Sequence, residues 1–146
     1  LVNYPDTSFL LPLYMPEQTS LRVRRYVSQL SEPLIYTPLH RLETRTAIRT
    51  RSFREGVSAA DVRAIFRKID FSLEEDILRH APLDWNAALR EAESVSEAHV
   101  MQMGASSADL LHVACALVLN AEEFLTFDQH QAVLAKRAGL KVRAWR

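Results

Sequence analysis

Residues 106–129 read "SSADLLHVACALVLNAEEFLTFDQ", and their punctuation decides the fold. Ser107 is a helix N-cap, Ala108 to Asn120 is an apolar helix, and Glu123 to Phe127 is a strand that stops at Asp128. The helix advances about 16 Å over some eleven residues at 1.5 Å each, and the strand returns about 16 Å over five residues at roughly 3.3 Å each. The chain therefore doubles back. Asp128, at the carboxyl end of its strand, comes level with Asp109 at the start of the helix.

Working outward, the same alternation recurs. Leu1 to Tyr4 reads as a strand ending at Pro5-Asp6, and Thr19 to Leu30 as a helix. Leu34 to Thr37 is a second strand, and Pro38 opens a helix to about Ser52 with Thr37 as its N-cap. Ser58 caps a helix whose Val62, Ile65, Phe66 and Ile69 mark one face. A helix over Leu73 to His80 is expected to end at Pro82, and a longer one runs from Leu83 to about Met103, stopped by Gly104. Gln129 to Ala138 is a helix closed by Gly139, and Leu140 to Trp145 is a last strand. Strands separated by helices imply an α/β fold with a parallel sheet and right-handed crossovers. No repeat or linker divides residues 1–146, so one domain is expected.

Composition narrows the chemistry. Cys115 is the single cysteine of 146 residues and lies in an apolar run, so neither an intrachain disulfide nor a cysteine-rich zinc site is available. That suits a reducing cytoplasm. The longest apolar runs, Leu110 to Leu119 and Phe9 to Met15, are too short to span a bilayer. No basic leader with a small-residue cleavage site opens the chain, which lacks an initiator Met and is read as trimmed or offset in numbering. Net charge is zero but uneven: eight arginines against two acids between Arg22 and Arg54, nine acids against two arginines between Asp70 and Asp109. Such blocks are either solvated helix faces or a basic approach for a polyanion beside an acidic surface.

Four acids stand out. Asp6 and Asp128 follow strands, Asp109 begins a helix, and Glu43 lies between Leu39 and Ala47 on the helix from Pro38. Arg41, Arg45 and Arg49 fall on another side, so no cation stands three or four residues from Glu43. Singly, Asp6 and Asp128 read as helix caps and Asp109 as a first-turn acid favoured by the helix dipole. Together they meet at the carboxyl edge of a parallel sheet, where ligands bind and where like charges repel unless a cation joins them. Oxygen-only donors suit Mg²⁺ or Mn²⁺ rather than zinc. Thr126 points the same way along its strand as Asp128, and its hydroxyl, like that of Ser8, can orient a carboxylate or water. His112, one turn after Asp109, reads first as a core histidine and second as a catalyst; His40, His80, His99 and His130 show no ligand spacing.

Asp6-Thr7-Ser8 after a first strand, Glu43 early in a helix, "SADLLHVACAL" around Asp109 and "FLTFDQ" around Asp128 together resemble the acidic signature of the PIN-domain nucleases, whose bacterial members are mostly VapC-like toxins of toxin–antitoxin pairs. The resemblance runs from the first strand to "RAGLKVRAW". It implies a PIN-like fold with a central parallel sheet of four to five short strands flanked by helices. It also implies a cytoplasmic Mg²⁺- or Mn²⁺-dependent endoribonuclease that hydrolyses RNA with Asp6, Glu43, Asp109 and Asp128 at its metal centre. In that reading Asp6 and Asp109 are core ligands, Glu43 is a ligand or water-orienting base, Asp128 is an outer acid or second-metal ligand, and these roles are interchangeable. Ser8 and Thr126 support them; the arginine block, apart from the resemblance, offers Arg45 and Arg49 as residues that approach substrate if they face the acidic cleft. The resemblance further implies a homodimer and a cognate antitoxin. One departure is visible: Ser106 stands where similar sequences often carry Arg. Two other classes are weighed. A phosphoacceptor receiver domain needs a lysine by its acids, and the lysines here are 68, 136 and 141. A non-catalytic PIN scaffold has no use for four concentrated acids.

Overall fold

The structure, a computed structural model, describes residues 2–145. Leu1, where the first strand is expected to begin, lies outside the described residues. The elements follow in the order β1 (Asn3–Pro5), α1 (Thr7–Tyr14), α2 (Ser20–Ser28), β2 (Leu34–Tyr36), α3 (Pro38–Glu55), α4 (Ala59–Glu74), β3 (Leu78–His80), α5 (Trp85–Met103), α6 (Ser107–Val118), β4 (Glu123–Leu125) and α7 (Gln129–Arg137). This is the expected α/β architecture of short parallel strands among helices.

The strands pair as two parallel ladders. Asn3, Tyr4 and Pro5 register with Glu123, Phe124 and Leu125, and Leu34, Ile35 and Tyr36 with Leu78, Arg79 and His80. β1 and β2 lie alongside each other, yet no backbone ladder joins them among the described residues. Proline explains part of this seam. Asp6 donates its N–H to Leu125 in β4, so the preceding residue faces β2, and Pro5 has no N–H to offer there. Its carbonyl is taken instead by His40 Nε2 at 2.7 Å. His40 is the third residue of α3. Its Nδ1 accepts from the Thr37 N–H at 2.9 Å, completing a capping box in which Thr37 accepts from the His40 N–H. A buried imidazole thus caps α3 and stitches the two strand pairs together.

Strand alternation sorts the core onto two faces. Tyr4, Ile35 and Phe124 pack with Ala88, Val95, Val113 and Leu134 of α5, α6 and α7. Leu34, Tyr36 and Leu125 pack with Phe9, Val23, Ile48 and Ile69 of α1 to α4.

Three expectations are corrected. Leu73 to His80 is not a helix: α4 ends at Glu74, the Ile77 N–H bonds the Ser72 carbonyl, and Asp76 takes a left-handed φ of 57°. Leu78 then enters β3 fully buried. The closing strand shrinks to a single parallel bridge of Val142 to Phe124, because Trp145 turns away to pack on Phe9, Tyr26 and Phe127 and to donate its Nε1–H to the Thr126 carbonyl at 2.9 Å. The cap of α6 is Ser106 rather than Ser107, its Oγ accepting from the Asp109 N–H at 3.2 Å.

Candidate functional site

The ends of β1 and β4 and the starts of α1, α6 and α7 supply the backbone frame of the acidic edge. Asp6 is the N-cap of α1, accepting from the Phe9 N–H at 3.1 Å. It is 4% exposed. Ser8 Oγ donates to its Oδ1 at 2.6 Å, and Thr126 Oγ1 donates to its Oδ2. Thr126 also accepts from the Asp128 N–H at 3.0 Å, and Ser8 Oγ accepts from the Phe127 N–H at 2.9 Å. These two hydroxyls therefore lock the end of β4 onto Asp6. Burial holds the Asp6 carboxyl above its usual range, and the Ser8 and Thr126 hydroxyls only partly offset this.

Glu43 reaches the edge from the second turn of α3. Thr7 Oγ1 donates to its Oε1 at 2.6 Å, and His112 Nε2 meets the same oxygen. Partial burial alone would raise Glu43; the His112 hydrogen bond and charge and the Thr7 hydroxyl outweigh it, and the carboxyl sits below its usual range. His112 is buried on α6, one turn after Asp109, and its Nδ1 lies 2.8 Å from the Tyr4 hydroxyl. A carboxylate accepts only, so Nε2 carries a proton and the Tyr4 hydroxyl serves Nδ1.

Asp109 and Asp128 are tied by one residue. Gln131 of α7 donates its Nε2–H to the Asp109 carbonyl at 3.0 Å, while its N–H donates to Asp128 Oδ1 at 3.0 Å. Gln131 is 1% exposed and its Oε1 has no partner among the described residues. Asp128 caps α7 and is exposed. Asp109 is half-buried, and its carboxylate accepts no hydrogen bond among the described residues.

Hydrogen bonds thus link all four acids' neighbourhoods, but the side chains have not closed on one point. Among the described residues no group of three or more Asp, Glu, His or Cys is disposed to hold a metal ion. The donor chemistry nonetheless suits a hard divalent cation. Both Asp109 oxygens, one Glu43 oxygen and one Asp128 oxygen are unengaged among the described residues, and three of the roughly four lone-pair positions on Asp6 are filled.

Two grooves flank this edge. One, of about 850 Å³, is lined by Thr7, Leu11, Leu39, Leu42, Glu43 and Arg51 among others. The other, of about 650 Å³, is lined by Thr7, Ser8, Leu11, Glu17, Gln18 and Asp128 among others. Thr7 and Leu11 form the ridge between them. Arg45 and Arg49, expected to approach substrate, line neither. Their guanidinium groups lie 4.5 and 4.8 Å from the Phe66 ring centroid of α4, and Arg45 pairs with Asp70 at 3.1 Å. Arg51 and Arg54 take the groove position instead. The helix carries the signal: at about 100° per residue Arg54, eleven residues on, falls about 20° from Glu43 and Arg51, eight residues on, about 80°, whereas Arg45 and Arg49 fall on the other side. Gln131 carried no signal, since its role depends on how α7 docks.

The PIN domain family profile matches residues 4–137, and the chain belongs to that family. No curated protein sequence matches it. Solved structures do match its fold. VapC20 of Mycobacterium tuberculosis, a toxin that cleaves the sarcin–ricin loop, superposes with a TM-score of 0.68 at 17% identity, over 94% of this chain and 95% of that one. VapBC-1 of nontypeable Haemophilus influenzae gives 0.67 at 18%, over 99% and 98%. FitAcB of Neisseria gonorrhoeae gives 0.66 at 15%, over 98% and 97%.

Proposed function

We propose that this chain is a Mg²⁺- or Mn²⁺-dependent endoribonuclease that hydrolyses RNA phosphodiester bonds, and that it is the toxin of a toxin–antitoxin pair. The observation that supports the reading is the hydrogen bonding around Asp6, Glu43, Asp109 and Asp128 in a PIN fold: Thr126 donates to Asp6, Thr7 and His112 meet Glu43, and Gln131 bonds both the Asp109 carbonyl and the Asp128 carboxylate.

In this reading Asp6 and Asp109 hold the ion, with Glu43 as a further ligand or a base that orients water, and Asp128 as an outer acid. A bound divalent ion would lower the pKa of a water and offset charge building on the attacked phosphate. The chain's own residues do the positioning. Ser8 and Thr126 set the orientation of Asp6, Thr7 and His112 that of Glu43, and Gln131 the spacing of Asp109 from Asp128.

The partners follow from the same reading: RNA as substrate, a second copy of the chain, and an antitoxin. Leu42 and Phe53 of α3 and Leu89 and Met101 of α5 are exposed apolar side chains that such partners would cover. Work in the cytoplasm belongs to the same reading; among the described residues no helix is long and apolar enough to cross a membrane.

The second reading is the non-catalytic scaffold, favoured by Asp6 and Asp128 acting as helix caps. The test is incubation of the purified chain with a panel of structured RNAs in Mg²⁺, Mn²⁺ or EDTA. Cleavage that EDTA abolishes supports the nuclease. Absence of metal-dependent cleavage of any RNA supports the scaffold.

A further inference from the structure

Arg51 of α3 lines the groove beside Glu43, yet its Nη2 donates to Glu17 Oε1 at 2.6 Å. Glu17 lies between α1 and α2 and lines the other groove, with Ser8 and Asp128. The ion pair therefore joins the two grooves beside the ridge of Thr7 and Leu11. Both side chains are largely shielded, at 25% and 28% exposure. Arg54, one turn further along, lines the same groove with no ion-pair partner among the described residues. Thr46, Thr50, Leu39 and Leu42 also line that groove, with Leu11 on its ridge, and Glu55 stands on it too.

We propose that Arg51 and Arg54 bind backbone phosphates of single-stranded RNA beside Glu43, and that Glu17 is a latch that holds Arg51 until a phosphate displaces it. The inference rests on the nuclease reading and names the substrate contacts of that site. The guanidinium fork fits carboxylate and phosphate with the same geometry, so one can replace the other without Arg51 moving far. A phosphodiester also brings the anion that Arg54 lacks. The apolar side chains of this lining suit the faces of bases and ribose that a single strand leaves unpaired. Arg45 and Arg49 line neither groove; both stack on the Phe66 ring, on the other side of α3.

The test is equilibrium binding of a fluorescent single-stranded RNA oligonucleotide in EDTA, where no cleavage occurs, across a series of salt concentrations. Wild type, Arg51→Gln, Arg54→Gln, Glu17→Gln and the Glu17→Gln/Arg51→Gln double variant are compared, with melting curves to verify folding. Arg51→Gln and Arg54→Gln should each weaken binding and flatten the salt slope by about 0.7. Glu17→Gln should tighten binding about two- to five-fold, the value of a partly exposed ion pair expressed as affinity. That gain should vanish on the Arg51→Gln background. An equal gain on both backgrounds would reduce Glu17 to general repulsion and overturn the latch, as would no gain on either. Unchanged slopes in both arginine variants, in a wild type that still cleaves RNA with Mg²⁺, would overturn this inference and leave the nuclease reading standing. A wild type that binds no RNA at low salt would overturn this inference, and the nuclease reading falls with it only if no RNA is cut in Mg²⁺ or Mn²⁺ either.

Discussion

His112 Nε2 and Thr7 Oγ1 converge on a single oxygen of Glu43, and the Tyr4 hydroxyl backs His112 from the core. Glu43 is therefore aimed by a donor chain anchored in β1, not by a surface ion pair. Replacing His112 with Leu removes the donor while filling the space. Cleavage should fall about 10- to 100-fold, the usual cost of losing a group that orients a metal-site carboxylate. His112→Gln, which keeps a donor, should recover part of that loss. Equal activity in the Leu variant and wild type would make His112 a core residue only.

Thr126→Val keeps shape and removes the hydroxyl that donates to Asp6 Oδ2 and accepts from the Asp128 N–H. The bond to Asp6 is buried and the one from the Asp128 N–H part-buried. The expected loss is about 1–3 kcal/mol in urea unfolding. Thr126→Ser should lose much less, since the hydroxyl is retained.

His40 is pushed down to about 3 by burial, with the charge of His112 adding to the effect. An unfolded histidine titrates near pH 6.5, so between there and pH 3 the unfolded chain binds the extra proton and the folded chain does not. Stability must fall as pH falls through that window. For a fully buried group the loss is on the order of 4 kcal/mol. His40→Gln should be less stable at pH 7, because the seam between Pro5 and Thr37 loses geometry, yet should show a flatter dependence of Tm on pH between 6.5 and 4. A Tm profile parallel to wild type would contradict this account of the seam.

Much of the site was legible because its acids sit at punctuation. Pro5-Asp6 ends a strand, Asp109 follows a Ser cap and Asp128 divides a strand from a helix, so period changes place them on one edge. Glu43 was placed by the absence of a cationic partner at helical spacing. Strand β3 was not legible. Three residues are too few to show alternation, and "LEEDILRH" carries helical spacing up to the left-handed turn at Asp76. The seam between β1 and β2 was hidden as well, since it depends on a histidine imidazole standing in for a backbone bond. Charge alone points Arg45 and Arg49 toward substrate, and a sequence does not show that both guanidinium groups lie over the Phe66 ring. Gln131 became visible only once α7 was docked on α6.

The central claim is that the four acids form a cation-dependent catalytic edge, and Asp109→Asn tests it most directly. Asn matches Asp in size, and Ser106 rather than Asp109 caps α6, so the fold should persist. RNA cleavage in Mg²⁺ should fall at least about 100-fold, since a directly coordinating charge matters more than the groups behind it. Wild-type Tm should rise with millimolar Mg²⁺ or Mn²⁺, by mass action on the folded state, and that rise should shrink in the variant. Without metal the variant should melt at or above wild type, because one of several neighbouring like charges is gone. Cleavage by Asp109→Asn at the wild-type rate, or a wild-type Tm indifferent to both ions in a chain that cuts no RNA, would contradict the claim.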